Sequence, residues 1–350
     1  MSGRLVVIFL PEDRIGRLET ILPRHTRRFW RETVPGQQEK YCCIVQQRYT
    51  ERLLDDLDDA FGGLDSFTAY VSGIEAVLPP VEETPETELP GPQDLRPPSA
   101  IERFFTRDRI STDELYDDLE ETLRLRPSYV LMVVLSAVIA GLGMRSGQTA
   151  VVIGAMIIAP LLGPTMGVAL AATVGDARLG RRSALALLVG CVLAVAAGAV
   201  TGAIVPVDPL VAELKNRTLV QPADIALALA CGAAGVLAVS RAASLTLVGV
   251  MIAVALIPPL SATGVYLGAG YPLAGVTAFY LFAINLVCLN VAGIATFLFQ
   301  GLPPKNWRMT GGILAIWVLL LLLLSSLMAG RLAFGLGSPQ WMADYLMQRI

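Results

Sequence analysis

The run GAMIIAPLLGP, residues 154–164, places Pro160, Gly163 and Pro164 inside an otherwise apolar stretch. Proline carries no N–H and its ring clashes with the preceding turn, so a helix here is expected to break and leave main-chain groups without partners. In lipid each orphan group costs several kcal/mol, so a break survives only where protein or a water-lined cavity answers it. The chemistry on offer is main-chain polarity at membrane depth, with helix N-termini for anions and C-termini for cations. A second proline pair, Pro258 and Pro259, interrupts another apolar run. Thr165 follows the first break, Ser261 and Thr263 follow the second, and Asn285 and Asn290 lie in a later apolar segment. These ten residues are the candidate substrate- or ion-binding set. A plainer reading stands beside it. Membrane helices carry Pro and Gly more often than soluble ones, and Ser, Thr and Asn bond across helices for about 0.6–2 kcal/mol.

Seven apolar segments must position these residues: roughly 127–144, 149–174, 183–205, 222–240, 244–267, 272–300 and 310–330. Each is long enough to cross a hydrocarbon core of about 30 Å. Gly154, Met156, Ile157 and Pro164 recur 95 residues later as Gly249, Met251, Ile252 and Pro259. The lone Arg145 and Arg241 recur at nearly the same offset. The repeat unit is three spans, and an odd number inverts the second copy across the membrane. Paired breaks in an inverted 3+3 repeat point to a transport site. Arg124, Arg126, Arg178, Arg181, Arg182, Arg241, Lys305 and Arg308 fall on one side, and Arg145, Lys215, Arg217, Arg331 and Arg349 on the other. This excess favours a cytoplasmic N-terminus in the cell inner (plasma) membrane.

Charge divides the chain. Residues 1–126 hold 16 of the 27 Lys+Arg and 25 of the 30 Asp+Glu. The opening apolar run, Leu5–Leu10, is too short for a secretory core and fits a buried strand. The order of strand-like and helical patterns over residues 1–78 is βαββαβ: strands at Arg4–Leu10, Arg28–Val34, Tyr41–Tyr49 and Phe67–Leu78, helices at Glu12–Leu22 and Thr50–Phe61. That order suggests an α+β ferredoxin-like sandwich on the cytosolic side, with a sensing or assembly role by fold analogy alone. Residues 79–99 are rich in Pro and Glu and read as a solvated linker. Residues 100–126 read as juxtamembrane helices, with a capping box at Ser111 and Glu114 and an interfacial segment bearing Ile101, Phe104 and Phe105. The transmembrane domain is 127–330 and the C-terminal tail 331–350.

Enzyme chemistry is not expected. The chain has one histidine, His25, and five cysteines without metal or disulfide spacing. Cys42 and Cys43 are adjacent and point to opposite faces of a strand. Asp55, Asp56, Asp58 and Asp59 read better as a solvated helix face than as a cation site. No cofactor and no metal are expected from these residues, and no nucleic acid is expected as a partner, because the charged part is net acidic. Asp176 and Asp224 sit at segment ends, so no carboxylate relay lies at depth. The small-residue runs Ala194–Ala203 and Ala228–Ala238 suit close helix packing or a contact within a homo-oligomer.

The stretches STDELYDDLEETLRLRPSYVLMVVLSAVIAGLGM, VVIGAMIIAPLLGPTMGVALAATVGD, GRRSALALLVG and VGVMIAVALIPPLSATGV carry a resemblance. Over about residues 100–303 the chain resembles the bacterial and archaeal family known as domain of unknown function 389. The resemblance implies a multispanning membrane module without an assigned activity. The residues themselves favour a transporter or channel for a small solute or ion, with the lipid bilayer as partner. The alternative is a membrane scaffold or signalling protein that transports nothing.

Overall fold

A computed structural model describes residues 3–32, 38–64, 66–74, 112–240, 245–302, 304, 307–333 and 346–347. The predicted linker at 79–99, the interfacial segment with Phe104 and Phe105, Ser111, Arg241 and most of the tail fall outside these residues. Two compact units divide at Leu115/Tyr116.

The first unit follows the predicted order. Strand β1 (Gly3–Pro11) leads through a 3-10 turn into α1 (Ile15–Ile21), then β2 (Arg28–Glu32), β3 (Gln38–Gln46), α2 (Gln47–Phe61) and β4 (Thr68–Gly73). The sheet order is β2-β3-β1-β4 and every pairing is antiparallel. Val6, Ile8 and Leu10 alternate inward from β1 and meet Leu18, Leu22, Leu53, Leu57 and Phe61 from the helices. Cys43 belongs to this core, and burial pushes its thiol up to about 12. Cys42 faces the other way, its Sγ 3.8 Å from Glu32 Oε1. Asp56, from the acidic run, bonds the His25 ring at 2.7 Å and so has a structural partner. Across the β2–β3 pair, Arg31 grips Glu39 with two bonds of 2.9 and 2.7 Å, and Lys40 donates to Glu32 at 2.5 Å.

The second unit is helical. It takes in the end of α3 (Thr112–Thr122), then α4 (Pro127–Arg145), α5 (Thr149–Ile158), α6 (Leu162–Val174) and α7 (Ala177–Ile204). After a one-turn helix at Ala212–Lys215 come α8 (Pro222–Val239), α9 (Leu245–Gly268), α10 (Pro272–Phe299) and α11 (Trp307–Ala333). Five of these helices are long and apolar enough to cross a membrane, and α5 with α6 forms a sixth candidate bent by 57°. Their outward faces carry side chains such as Leu188, Val192, Ile204, Val276, Leu319 and Leu322, each at least 60% exposed. Such surfaces suit lipid and not water. Helix α10 is the packing axis, with 72% of its apolar stretch buried, whereas α11 buries 6% and lies at the periphery.

The acids at the segment ends are helix caps. Asp176 accepts from the amides of Arg178 and Leu179 at 2.8 and 3.0 Å, starting α7 six residues before the predicted span. Asp224 and Gln221 form a reciprocal capping box on α8.

A spacing of 95 residues recurs in the observed elements. Helices α4 and α8 begin at Pro127 and Pro222, and α7 and α10 run over Ala177–Ile204 and Pro272–Phe299. Gly175 and Gly270 both adopt left-handed backbone before the longer helices, with φ of 81° and 86°, where a side chain is strained. Helix α7 crosses α9 with almost no room. A Cβ on Gly264 would lie 2.2 Å from the Val195 oxygen, and one on Gly198 would lie 2.6 Å from the Ser261 oxygen. The positions 95 residues away, Gly293 on α10 and Ala169 on α6, also touch, at 3.1 Å for a Cβ built on Gly293.

One expectation needs correction. Helix α9 continues through Pro258 and Pro259, so the second proline pair does not break its helix. The reason is a replacement donor from α10, described next.

Candidate functional site in the membrane unit

The first break is present. Helix α5 ends at Ile158, Ala159 is extended at φ −68° and ψ 118°, and α6 starts at Leu162. Pro160 cannot donate back to Met156, which ends the ladder there. Pro164 is the third residue of α6, where an N–H has no intrahelical partner anyway, so it costs the helix little. Two hydroxyls tend the exposed carbonyls. Ser136 of α4 donates to Ala155 O at 2.7 Å, and Thr165 donates to Leu161 O at 2.8 Å, alongside its own amide at 3.2 Å. Every residue from Leu161 to Gly167 is buried.

The end of α3 closes on this break. A Cβ on Gly163 would meet Thr122 Oγ1 at 2.0 Å, so the glycine exists to let Thr122 in. Tyr116 holds α3 to Asp176 at 3.1 Å, and Glu120 pairs with Arg182. Sequence reasoning missed Thr122, Ser136 and Tyr116, because each works through a contact distant in the chain. Only the expectation of juxtamembrane helices over residues 100–126 hinted that α3 lies against the apolar helices.

The second proline pair is handled differently. Pro259 cannot donate to Ala255 O, four residues earlier. Asn285 on α10 supplies the missing donor, its Nδ2 lying 2.8 Å from Ala255 O. Thr263 bonds back to Pro259 O at 2.7 Å, and Ser261 reaches Ala137 O on α4 at 2.7 Å. Asn290 donates within its own helix to Leu286 O at 2.8 Å. The side-chain oxygens of both asparagines are buried and receive no hydrogen bond among the described residues. Helix α9 packs against both arms of the broken span and against α10. Ser261, Thr263 and Asn285 therefore gather on or against α9. Gly163 and Thr165 instead contact α3 and their own helix.

A cavity of about 590 Å³ opens where α4 ends and α10 begins, lined by Arg145, Ser146, Pro206, Asp208, Pro209 and Tyr271. The Arg145 guanidinium is anchored to Pro206 O at 2.5 Å.

An uncharacterised protein of Methanocaldococcus jannaschii is 31% identical over 258 residues, covering 74% of this chain and 75% of the relative. The profile of a domain of unknown function, DUF389, matches residues 156–291. The chain belongs to the DUF389 family. The DUF389 match runs from the last turn of α5 to the middle of α10, and holds the break, Pro258–Pro259, Asn285 and Asn290. No solved structure matches.

Proposed function

We propose that this DUF389 protein is a membrane transporter or channel for a small solute or ion and that it has no enzyme activity. The observation carrying the reading is the 57° interruption of an apolar span between Ile158 and Leu162. Unpaired main-chain groups at that depth are costly, and a solute pathway is the common use for such a break. In this reading α9, 24 residues long and about 36 Å at 1.5 Å per residue, is also a span, which makes seven. The 95-residue recurrence, the twin left-handed glycines and the reciprocal contacts Gly198·Gly264 and Gly293·Ala169 support an inverted 3+3 repeat. The arginine bias supports a cytoplasmic N-terminus in the plasma membrane. The first unit, a ferredoxin-like sandwich in this reading, serves sensing or homo-oligomer assembly.

The test is flux into liposomes. Purified protein should pass at least one of sodium, rubidium, chloride or small zwitterions faster than empty vesicles. Pro160→Ala, which offers a donor back to Met156 O, should change that rate. A second reading, a scaffold that transports nothing, is favoured by the complete burial of Leu161–Gly167. It predicts no flux of any of these solutes and a Pro160→Ala variant that is merely as stable or more so.

A further inference from the structure

The cavity of about 590 Å³ at the end of α4 is lined by no residue of either proline-bearing run. Its size falls within the range of small-molecule pockets, about 300–1,000 Å³. Its walls are tied down. Arg145 Nε donates to Pro206 O, Tyr266 Oη donates to Pro209 O at 3.3 Å, and Asp208 Oδ1 accepts from Leu210 N at 2.9 Å. Pro206 and Pro209 each fix a backbone torsion between these anchors. Tyr271 packs edge-on against the buried Tyr266, with ring centroids 6.4 Å apart. A wall set in advance spares a ligand the cost of ordering it. Two charges line this cavity without pairing. Arg145 is held through Nε, and among the described residues its Nη1 and Nη2 have no hydrogen-bond or ion-pair partner, nor has Asp208 Oδ2. The neighbouring acid, Glu213, is already engaged, accepting from Thr149 and pairing with Arg217 at 3.6 Å. The Ser146 hydroxyl is turned back to Leu142 O at 2.8 Å.

We propose that this cavity binds a small zwitterion, with its anionic group on the Arg145 guanidinium and its ammonium on the Asp208 carboxylate. A guanidinium held at Nε still offers its terminal N–H groups to a carboxylate or phosphate. A carboxylate with a spare oxygen accepts from an ammonium, and Tyr271 adds an aromatic wall of the kind that favours cations. A lone anion in the cavity would meet Asp208, and a lone cation would meet Arg145, so each carries a repulsive neighbour that a ligand of both signs turns into a partner. Pro206, Val207 and Pro209 supply the apolar remainder of the lining, which suits a short carbon chain between the two charges. The shared chemistry is thus an anionic group joined to a primary ammonium by a short carbon chain. A free amino acid has it, and so has the ethanolamine phosphate headgroup of a lipid.

The experiment is thermal unfolding of the full-length protein in two kinds of nanodisc. In phosphatidylglycerol alone, glycine, β-alanine and O-phosphoethanolamine are titrated beside sodium acetate and ethylammonium chloride at constant ionic strength. At least one zwitterion should raise the unfolding midpoint saturably by a few degrees, and the two singly charged probes should not. In the second kind, phosphatidylethanolamine replaces part of the phosphatidylglycerol and no probe is added. A rise there alone, lost in Asp208→Asn, names a lipid headgroup as the source, and a rise with a free zwitterion names a solute. Asp208→Asn keeps a side-chain oxygen for Leu210 N and should weaken zwitterion binding about tenfold. Arg145→Gln should lose the shift as well, and Asp208→Asn carries the test if that variant does not fold. No rise in either disc, a rise that acetate or ethylammonium alone reproduces, or a rise that Asp208→Asn leaves unchanged would overturn the site. The site stands apart from the transport reading: binding without flux keeps it, and flux without binding removes it alone.

Discussion

Ser261 on α9 donates its hydroxyl to the main-chain oxygen of Ala137 on α4 at 2.7 Å, joining residues 124 apart in the chain. Both are fully buried. Interhelical hydroxyl bonds in membrane bundles contribute about 0.6–1.7 kcal/mol, because the separated helices also find partners. Ser261→Ala should lower the unfolding free energy in bicelles by that amount. A value near zero would mean that the contact holds nothing.

The crossing of α7 and α9 should tolerate no side chain. Gly264→Ala forces a Cβ to within 2.2 Å of a backbone oxygen, which rigid helices cannot yield. The variant should lose most folded protein in a size-exclusion assay. Gly154→Ala, where nothing lies within 4 Å, should behave as wild type in the same assay.

Asn285 and Pro259 should be energetically coupled. In wild type, Asn285→Leu strips Ala255 O of its donor and should destabilise by about 1–3 kcal/mol. Pro259→Ala restores a backbone N–H to that carbonyl, so the same Asn285→Leu change should cost less in its background. A double-mutant cycle measures the difference, and additivity would show that the asparagine serves some other purpose.

The β2–β3 pair should weaken in acid. The hydrogen bond from Lys40 holds the Glu32 carboxyl below its ordinary value of 4.5, and the hydrogen bonds from Arg31 do the same for Glu39. A depressed folded value means the stabilisation is present above about 4.5 and is lost as pH falls through the folded values. Trp30, whose indole donates to Glu32 at 3.1 Å, is a local reporter. In a variant with Trp307, Trp317 and Trp341 replaced by Phe, the emission of Trp30 should change on acidification below pH 4.5. Glu39→Gln should remove the Arg31 share of that change.

Cys43 should resist alkylation. Burial raises its thiol toward about 12, so almost no thiolate exists at pH 8. Mass spectrometry after iodoacetamide should find Cys43 unmodified in the folded protein and modified once the first unit is denatured.

What the sequence disclosed and withheld follows from how far each interaction reaches. Hydrophobic runs are local, so the apolar helices emerge within a few residues of their expected bounds. The βαββαβ order is also a matter of local periodicity. Pro160 breaks its helix as a local rule demands. Pro258 and Pro259 obey the same rule, yet their helix survives, because the replacement donor Asn285 lies 26 residues beyond Pro259 in the chain. A sequence displays a missing N–H but not the side chain that stands in for it. Gly163 was legible as a small residue near a break. The purpose of its smallness, admitting Thr122, was not.

The repair at Pro259 has a mechanical consequence. Helix α9 stays helical through Pro258 and Pro259 and is stitched to α10 by the Asn285–Ala255 bond. The extended residue Ala159, by contrast, sits between two rods with no continuous ladder across it. Among the described residues, Ala159–Leu161 is a joint between two helices bent by 57°. The tip of α3, resting on Gly163 one turn beyond it, is placed like a thumb on that joint.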